Sequence, residues 1–114
     1  MATFLIDYFE LPTASTASSR EFFARAFGFA ARDYGPGYTE IVGAGVLGGL
    51  NGIEGDRPAA PLIGIRTDDI DAAVLAVTGA GGTITRPVHA YPGGRRFMFR
   101  EPGGAELLVY RPEE

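Results

Sequence analysis

Leu62-Ile63-Gly64-Ile65-Arg66-Thr67-Asp68-Asp69-Ile70-Asp71-Ala72-Ala73-Val74-Leu75-Ala76-Val77 (62–77) holds the fold in miniature. Leu62 to Arg66 is short, apolar and partly β-branched, and reads as a strand. Asp68 or Asp69 then offers a side-chain acceptor to the free amides of a helix start. Ile70, Ala73, Val74 and Val77 recur at i, i+3, i+4 and i+7, one apolar stripe on a helix that stops at the glycine-rich run 79–82. Three strands follow, Thr83 to His89, Arg95 to Arg100 and Ala105 to Arg111, parted by Pro92-Gly93-Gly94 and Pro102-Gly103-Gly104. The order is βαβββ.

Upstream the same order stands once more. Thr3 to Leu11 reads as a strand whose alternation puts Ile6, Tyr8 and Glu10 on one face, and Leu5, Phe9 and Leu11, with Asp7, on the other. Ser15 or Ser18 can cap a helix from about Thr16 to Phe27, and Ser18 with Glu21 has capping-box spacing. Gly28 suits the left-handed position after the helix. Strands Phe29 to Tyr34, Tyr38 to Val42 and Val46 to Leu50 are closed by glycine turns. An offset of 54 pairs Tyr8 with Leu62, Leu11 with Ile65, Gly28 with Gly82 and Arg32 with Arg86. These identities are few, so the repeat rests on the order of elements. Glu54 to Pro61, with two prolines and no apolar period, is the linker. The expected architecture is α+β: one domain over 1–114, with two βαβββ modules at about 1–53 and 61–112. Each helix covers one face of a mixed, curved sheet, helices outward, and the uncovered faces form a concave cleft for a ligand.

Composition removes several functions. The net charge is −4, with 14 acids against 10 bases, so no basic field is present to hold nucleic acid. All bases are Arg; without Lys there is no Schiff-base chemistry, and without Cys no thiolate, disulfide or Cys-held zinc. The glycine runs carry no phosphate-loop lysine, and 79–82 ends a helix, where the dipole repels phosphate. Met1 to Glu10 has no basic start and bears acids within its apolar run, unlike a signal peptide. The longest apolar stretch, Ile41 to Leu50, is glycine-studded and far short of a membrane span. A cytoplasmic protein is expected.

Three stretches in sequence order carry a resemblance. Ile6-Asp7-Tyr8-Phe9-Glu10-Leu11-Pro12 with Arg20-Glu21-Phe22-Phe23-Ala24-Arg25-Ala26-Phe27-Gly28-Phe29 is similar to the opening of a vicinal oxygen chelate domain, the superfamily of glyoxalases, bleomycin-resistance proteins and extradiol dioxygenases. Ile63-Gly64-Ile65-Arg66-Thr67-Asp68-Asp69-Ile70-Asp71-Ala72-Ala73 resembles the start of its second module. Phe99-Arg100-Glu101-Pro102-Gly103-Gly104-Ala105-Glu106-Leu107-Leu108 resembles its close. The resemblance implies up to four metal-holding side chains, on the first and last strands of each module. Carried over, these positions fall on Tyr8, Leu62, Leu108, and Gly49 or a neighbour, and only Tyr8 bears a donor atom. No cofactor is therefore expected; a divalent metal held through Glu10, Glu40, His89 or Glu106 is the alternative.

Strand parity names the remaining lining residues. Tyr8 and Glu10, Tyr38 and Glu40, Leu62, Gly64 and Arg66, and Glu106, Leu108 and Tyr110 are expected on the uncovered faces. Glu10, Glu40 and Glu106 can then form a carboxylate cluster in which one desolvated glutamate acts as acid or base; pairing with Arg66 or Arg100 is the plainer outcome. His89, the only histidine, is either a proton shuttle beside the Pro92-Gly93-Gly94 turn or a solvated strand-end residue. Arg96 and Arg100 share a face with Met98, where guanidinium groups can grip an anion. Glu10, Glu40 and His89 are thus the candidate catalytic residues. The candidate ligand-binding residues are Tyr8, Tyr38, Leu62, Arg66, Arg100, Glu106, Leu108 and Tyr110. Three functions stay open: a metal-free protein that binds a small organic molecule; a metal-dependent lyase, isomerase or dioxygenase; and a non-catalytic interaction module with Phe97 and Phe99 on its open face. The resemblance implies a homodimer.

Overall fold

The computed structural model describes residues 1–113. Its elements are β1 (Phe4–Pro12), α1 (Thr16–Phe27), β2 (Ala30–Asp33), β3 (Tyr38–Val42), β4 (Leu47–Asn51), β5 (Leu62–Thr67), α2 (Ile70–Gly79), β6 (Thr83–Tyr91), β7 (Gly94–Arg100) and β8 (Glu106–Pro112). The chain is α+β, built of two βαβββ modules with one strand order. In the first, β2 and β3 pair antiparallel, β3 and β4 antiparallel, and β4 runs parallel to β1. In the second, β6, β7 and β8 are antiparallel neighbours and β8 runs parallel to β5. A helix between the parallel strands is what that connection requires.

By compactness the chain divides into Tyr8–Leu62 and a unit joining Met1–Asp7 to Ile63–Glu114. β1 therefore serves both. Phe4–Asp7 belongs with the second unit, where the Thr3 amide donates to Asp68 at 2.8 Å, and Tyr8–Pro12 belongs with the first.

Local chemistry sets the helix ends. Ser15 caps α1 by accepting from the Ser18 amide, and Gly28 ends it at φ +74°, a conformation that costs glycine little. The expected Ser18–Glu21 capping box is absent: Glu21 lies inside the helix and pairs with Arg25 at 3.3 Å. Asp69, not Asp68, caps α2 through the Ala72 amide.

The second unit has the larger apolar core. Ile70 and Ala73 of α2 pack on Phe97, Phe99 and Val109, with Ile65, Val74, Val77 and Ile84 around them. Phe97 and Phe99 are thus beneath the helix. This overturns their expected place on an open interface: the parity that sets Arg96, Met98 and Arg100 on the face away from α2 turns both rings beneath it. No helix among the described residues is long and apolar enough to cross a membrane.

Candidate functional site

Each module has one face that its helix leaves uncovered. In the first, cross-strand register sets Glu10 beside Gly49, Glu40 on the other side of Gly49, and Tyr38 beside Asn51. Tyr8, Glu10, Tyr38 and Glu40 thus share a face, as parity requires, while Thr39 and Ile41 are buried on the other. Gly49 decides what that face can hold. A Cβ there would fall on the hydroxyls of Tyr8 and Tyr38, so only glycine lets the two phenols meet above the strand.

The phenols begin a directed chain of hydrogen bonds. Tyr8 donates to Glu10 Oε1 at 2.9 Å, and Tyr8 and Tyr38 are hydrogen-bonded through their hydroxyls. Each hydroxyl has one proton, so Tyr38 donates to Tyr8 and Tyr8 to Glu10. Asn51 Nδ2 donates to Glu10 Oε2 at 3.2 Å and to Asp56 Oδ2 at 3.0 Å, while Asn51 Oδ1 accepts the Ile53 amide. Glu10 is 0% exposed and Asn51 1%. Burial pushes the Tyr8 phenol far above its ordinary pKa, and the neighbouring Glu10 carboxylate adds to the rise. Tyr8 is therefore a fixed donor, and Tyr38, which bonds to it, is half-buried. Glu40 is half-buried and stands across from Arg32 of β2.

The second module's uncovered face is furnished differently. Leu108 and Met98, both buried, lie in register and form an apolar floor with Gly64. One row along, Arg66, Tyr110, Arg96 and His89 are cross-strand neighbours. Tyr110 donates to Asp7, which also pairs with Arg66 at 3.8 Å. Burial first, and the Asp7 carboxylate second, raise the Tyr110 phenol's pKa. Arg96, 4% exposed, lies over the Tyr91 ring and donates from Nε to His89 Nε2 at 3.3 Å. His89 Nδ1 sits 2.8 Å from the Pro87 carbonyl, which can only accept, so the ring is the neutral Nδ1–H tautomer. His89 is therefore a structured, half-buried strand residue, because β6 extends to Tyr91 rather than ending at residue 89. At the far end of this face Glu106 accepts from Thr85 at 2.6 Å and faces Arg100 at 4.0 Å, while Arg100 donates to the Gly104 carbonyl.

Sequence reasoning missed Asn51, Asp56 and Asp7. Asn51 shares parity with Gly49, a usable signal that was hidden because Asn51-Gly52 looks like a turn. Asp7 was placed only by its face with Phe9, and its partners Tyr110 and Arg66 went unforeseen because they lie far along the chain.

The residues at the implied metal positions do not fit a metal. Leu62, Leu108 and Gly49 offer no side-chain donor, and the Tyr8 oxygen is engaged with Glu10 and Tyr38. Among the described residues no group of three or more His, Cys, Asp or Glu is placed to hold an ion.

Comparison with known proteins follows the same line. A family model described as Glyoxalase/Bleomycin resistance protein/Dioxygenase superfamily matches residues 5–109. No curated protein matches the chain. Among solved structures, a protein titled NAD-dependent benzaldehyde dehydrogenase from Legionella pneumophila is 16% identical, with TM-score 0.77 over 94% of this chain and 99% of that one. Methylmalonyl-CoA epimerase from Mycobacterium tuberculosis is 14% identical, with TM-score 0.66 over 96% and 88%. An extradiol ring-cleaving dioxygenase from B. fuscum is 16% identical, with TM-score 0.69 over 96% of this chain and 32% of that one. At these identities the likeness is one of fold.

Proposed function

Because the chain belongs to the Glyoxalase/Bleomycin resistance protein/Dioxygenase superfamily, we propose that it is a metal-free member that binds a small, partly apolar organic molecule on the uncovered face of its first module. One observation carries the reading: at Gly49, where the family resemblance looks for a metal ligand, two phenol hydroxyls occupy the space instead, one of them donating to the buried carboxylate of Glu10. Tyr38 supplies an aromatic wall and a hydroxyl, and Glu40 a carboxylate at the rim. The test is ligand binding by calorimetry before and after chelation, with elemental analysis of the purified protein. Binding that survives chelation and weakens in Tyr38→Phe supports the proposal. Stoichiometric Ni, Zn, Fe or Mn, or binding lost on chelation and restored by one metal, overturns it.

A second reading, proton transfer, is favoured by the direction of the hydrogen bonds. A proton leaving the bound molecule enters at the Tyr38 oxygen as the Tyr38 proton passes to Tyr8 and the Tyr8 proton to Glu10. The products are a neutral Glu10 and an anionic bound molecule. General-base assistance of this kind is worth about 10²–10⁴-fold in rate. Exchange of the ligand's acidic hydrogen in D₂O should fall by that order in Glu10→Gln while binding persists. Unchanged exchange rules the relay out.

A further inference from the structure

One member of the buried network is chemically fragile. Asn51 is the only side-chain amide in the sequence, which has no other Asn and no Gln, and a glycine follows it. Its Nδ2 donates to Glu10 at 3.2 Å and to Asp56 at 3.0 Å, and its Oδ1 accepts the Ile53 amide. The Gly52 amide donates to the Gly37 carbonyl at 2.8 Å. Packing has its own use for this glycine. A Cβ on it would stand 3.3 Å from Thr16 Cγ2 and 3.4 Å from the Thr13 carbonyl, a tight fit. The fold thus places side by side two residues that, in a flexible chain, are prone to deamidate, because glycine leaves its amide nitrogen unshielded.

We propose that Asn51-Gly52 is a latent modification site, silent in the folded module and converted when the chain opens. The Gly52 nitrogen attacks Asn51 Cγ, forming a C–N bond that closes a five-membered succinimide. The Cγ–Nδ2 bond breaks, and Nδ2 leaves as ammonia with the proton that Gly52 gave up. Water then opens the ring, its hydroxyl going to one carbonyl carbon and its proton to the ring nitrogen. The product is aspartate, or its isomer with the main chain routed through the side chain. In the fold the ring is kept from closing. Three hydrogen bonds hold the Asn51 side chain and a fourth holds the nucleophile. Asn51 is also 1% exposed, away from the water that completes the reaction. The conversion is one-way in its effect. An acid at 51 puts an anionic oxygen where Nδ2 bridges Glu10 and Asp56, so two donated hydrogen bonds become two like-charge contacts. A chain that has reacted while open therefore loses the bridge for good. The proposal stands apart from the ligand-binding reading.

The test is intact-mass spectrometry of the full chain, held at mildly alkaline pH in buffer and in urea. In urea the chain should gain about one dalton, once, because the sequence has a single side-chain amide. In buffer the gain should be slower by about 10³-fold or more, the inverse of the unfolded fraction. Gly52→Pro, which has no amide proton to lose, should abolish the gain in urea, where its effect on folding does not enter. Asn51→Asp, made directly, should unfold about 10 °C or more below the native chain, or fail to fold. Equal rates in buffer and urea, a gain that persists in Gly52→Pro, or an Asn51→Asp chain as stable as the native one overturns the proposal.

Discussion

On the uncovered face of the first module Glu10 lies beside Gly49; at the matching place in the second, Gly64 lies beside Leu108. In both modules the cross-strand partner of a glycine is a larger side chain. The neighbour is a carboxylate bonded to tyrosines in one case and a leucine in the other. Of the two neighbours only the carboxylate has atoms that can accept a proton or a hydrogen bond, and its burial carries a cost, because a buried carboxylate needs partners. Those partners are present: no buried polar side-chain atom among the described residues lacks one. The helices differ in the same sense. α2 buries Ile70 and Ala73 in its core, whereas α1 buries nothing. The second module is the better packed, and the first holds the fully buried carboxylate.

The steepest test of that contrast removes a ring from each helix side. Phe97→Ala, beneath α2 at 0% exposure, should cost about 3–5 kcal/mol in denaturant unfolding. Phe22→Ala on α1 should cost under about 0.5 kcal/mol, measured at concentrations too low for self-association. Equal losses would erase the distinction between the modules. Next in size, Gly49→Ala should destabilise by about 2–3 kcal/mol, because the methyl displaces two hydroxyls from a buried network. Tyr38→Phe in the same chain should recover part of that loss, and a neutral Gly49→Ala would dissolve the site.

Two smaller effects are read along the pH axis. The folded chain holds the Tyr8 proton well above the ordinary value of 10.0, while the unfolded chain releases it there. The native state's advantage from this group is whole below pH 10 and shrinks as pH climbs beyond it. Tyr8→Phe should flatten the alkaline limb of the stability profile; an unaltered slope would mean the phenol ionises freely. The smallest effect belongs to Glu101 at the turn between β7 and β8. The Ala105 amide, donating at 2.7 Å, holds its carboxyl below the ordinary 4.5. A lowered folded pKa contributes stability above 4.5 that is lost as pH falls through the folded value. Glu101→Gln should therefore separate from the native chain at neutral pH and converge with it in acid, by thermal unfolding at matched ionic strength.

The fold was legible because each level of the sequence agreed with the next. The α2 stripe Ile70, Ala73, Val74, Val77 packs as its spacing demands, and Thr16 to Phe27 is a helix between the ends its serine and glycine mark. Alternation also placed Tyr8, Glu10, Tyr38 and Glu40 together. What stayed hidden depended on contacts far apart in sequence. Asp7 meets Tyr110 across 103 positions, and no local rule reveals that the two ends of β1 serve different units. Phe97 and Phe99 were misplaced for a different reason: their strand is buried on both faces, Arg96 and Met98 on one and the two rings on the other, so the sequence alone did not say which face α2 would cover.

The division of β1 has a consequence for how this protein comes into being. As the chain leaves the ribosome, Tyr8–Pro12 can find β4 as soon as Leu47–Asn51 has emerged. Phe4–Asp7 must wait longer, since Asp68 and then Tyr110 follow β4 along the chain. Until then Phe4, Leu5 and Ile6 form an apolar strand end without its native unit, the kind of segment a chaperone holds and a neighbouring nascent chain can capture.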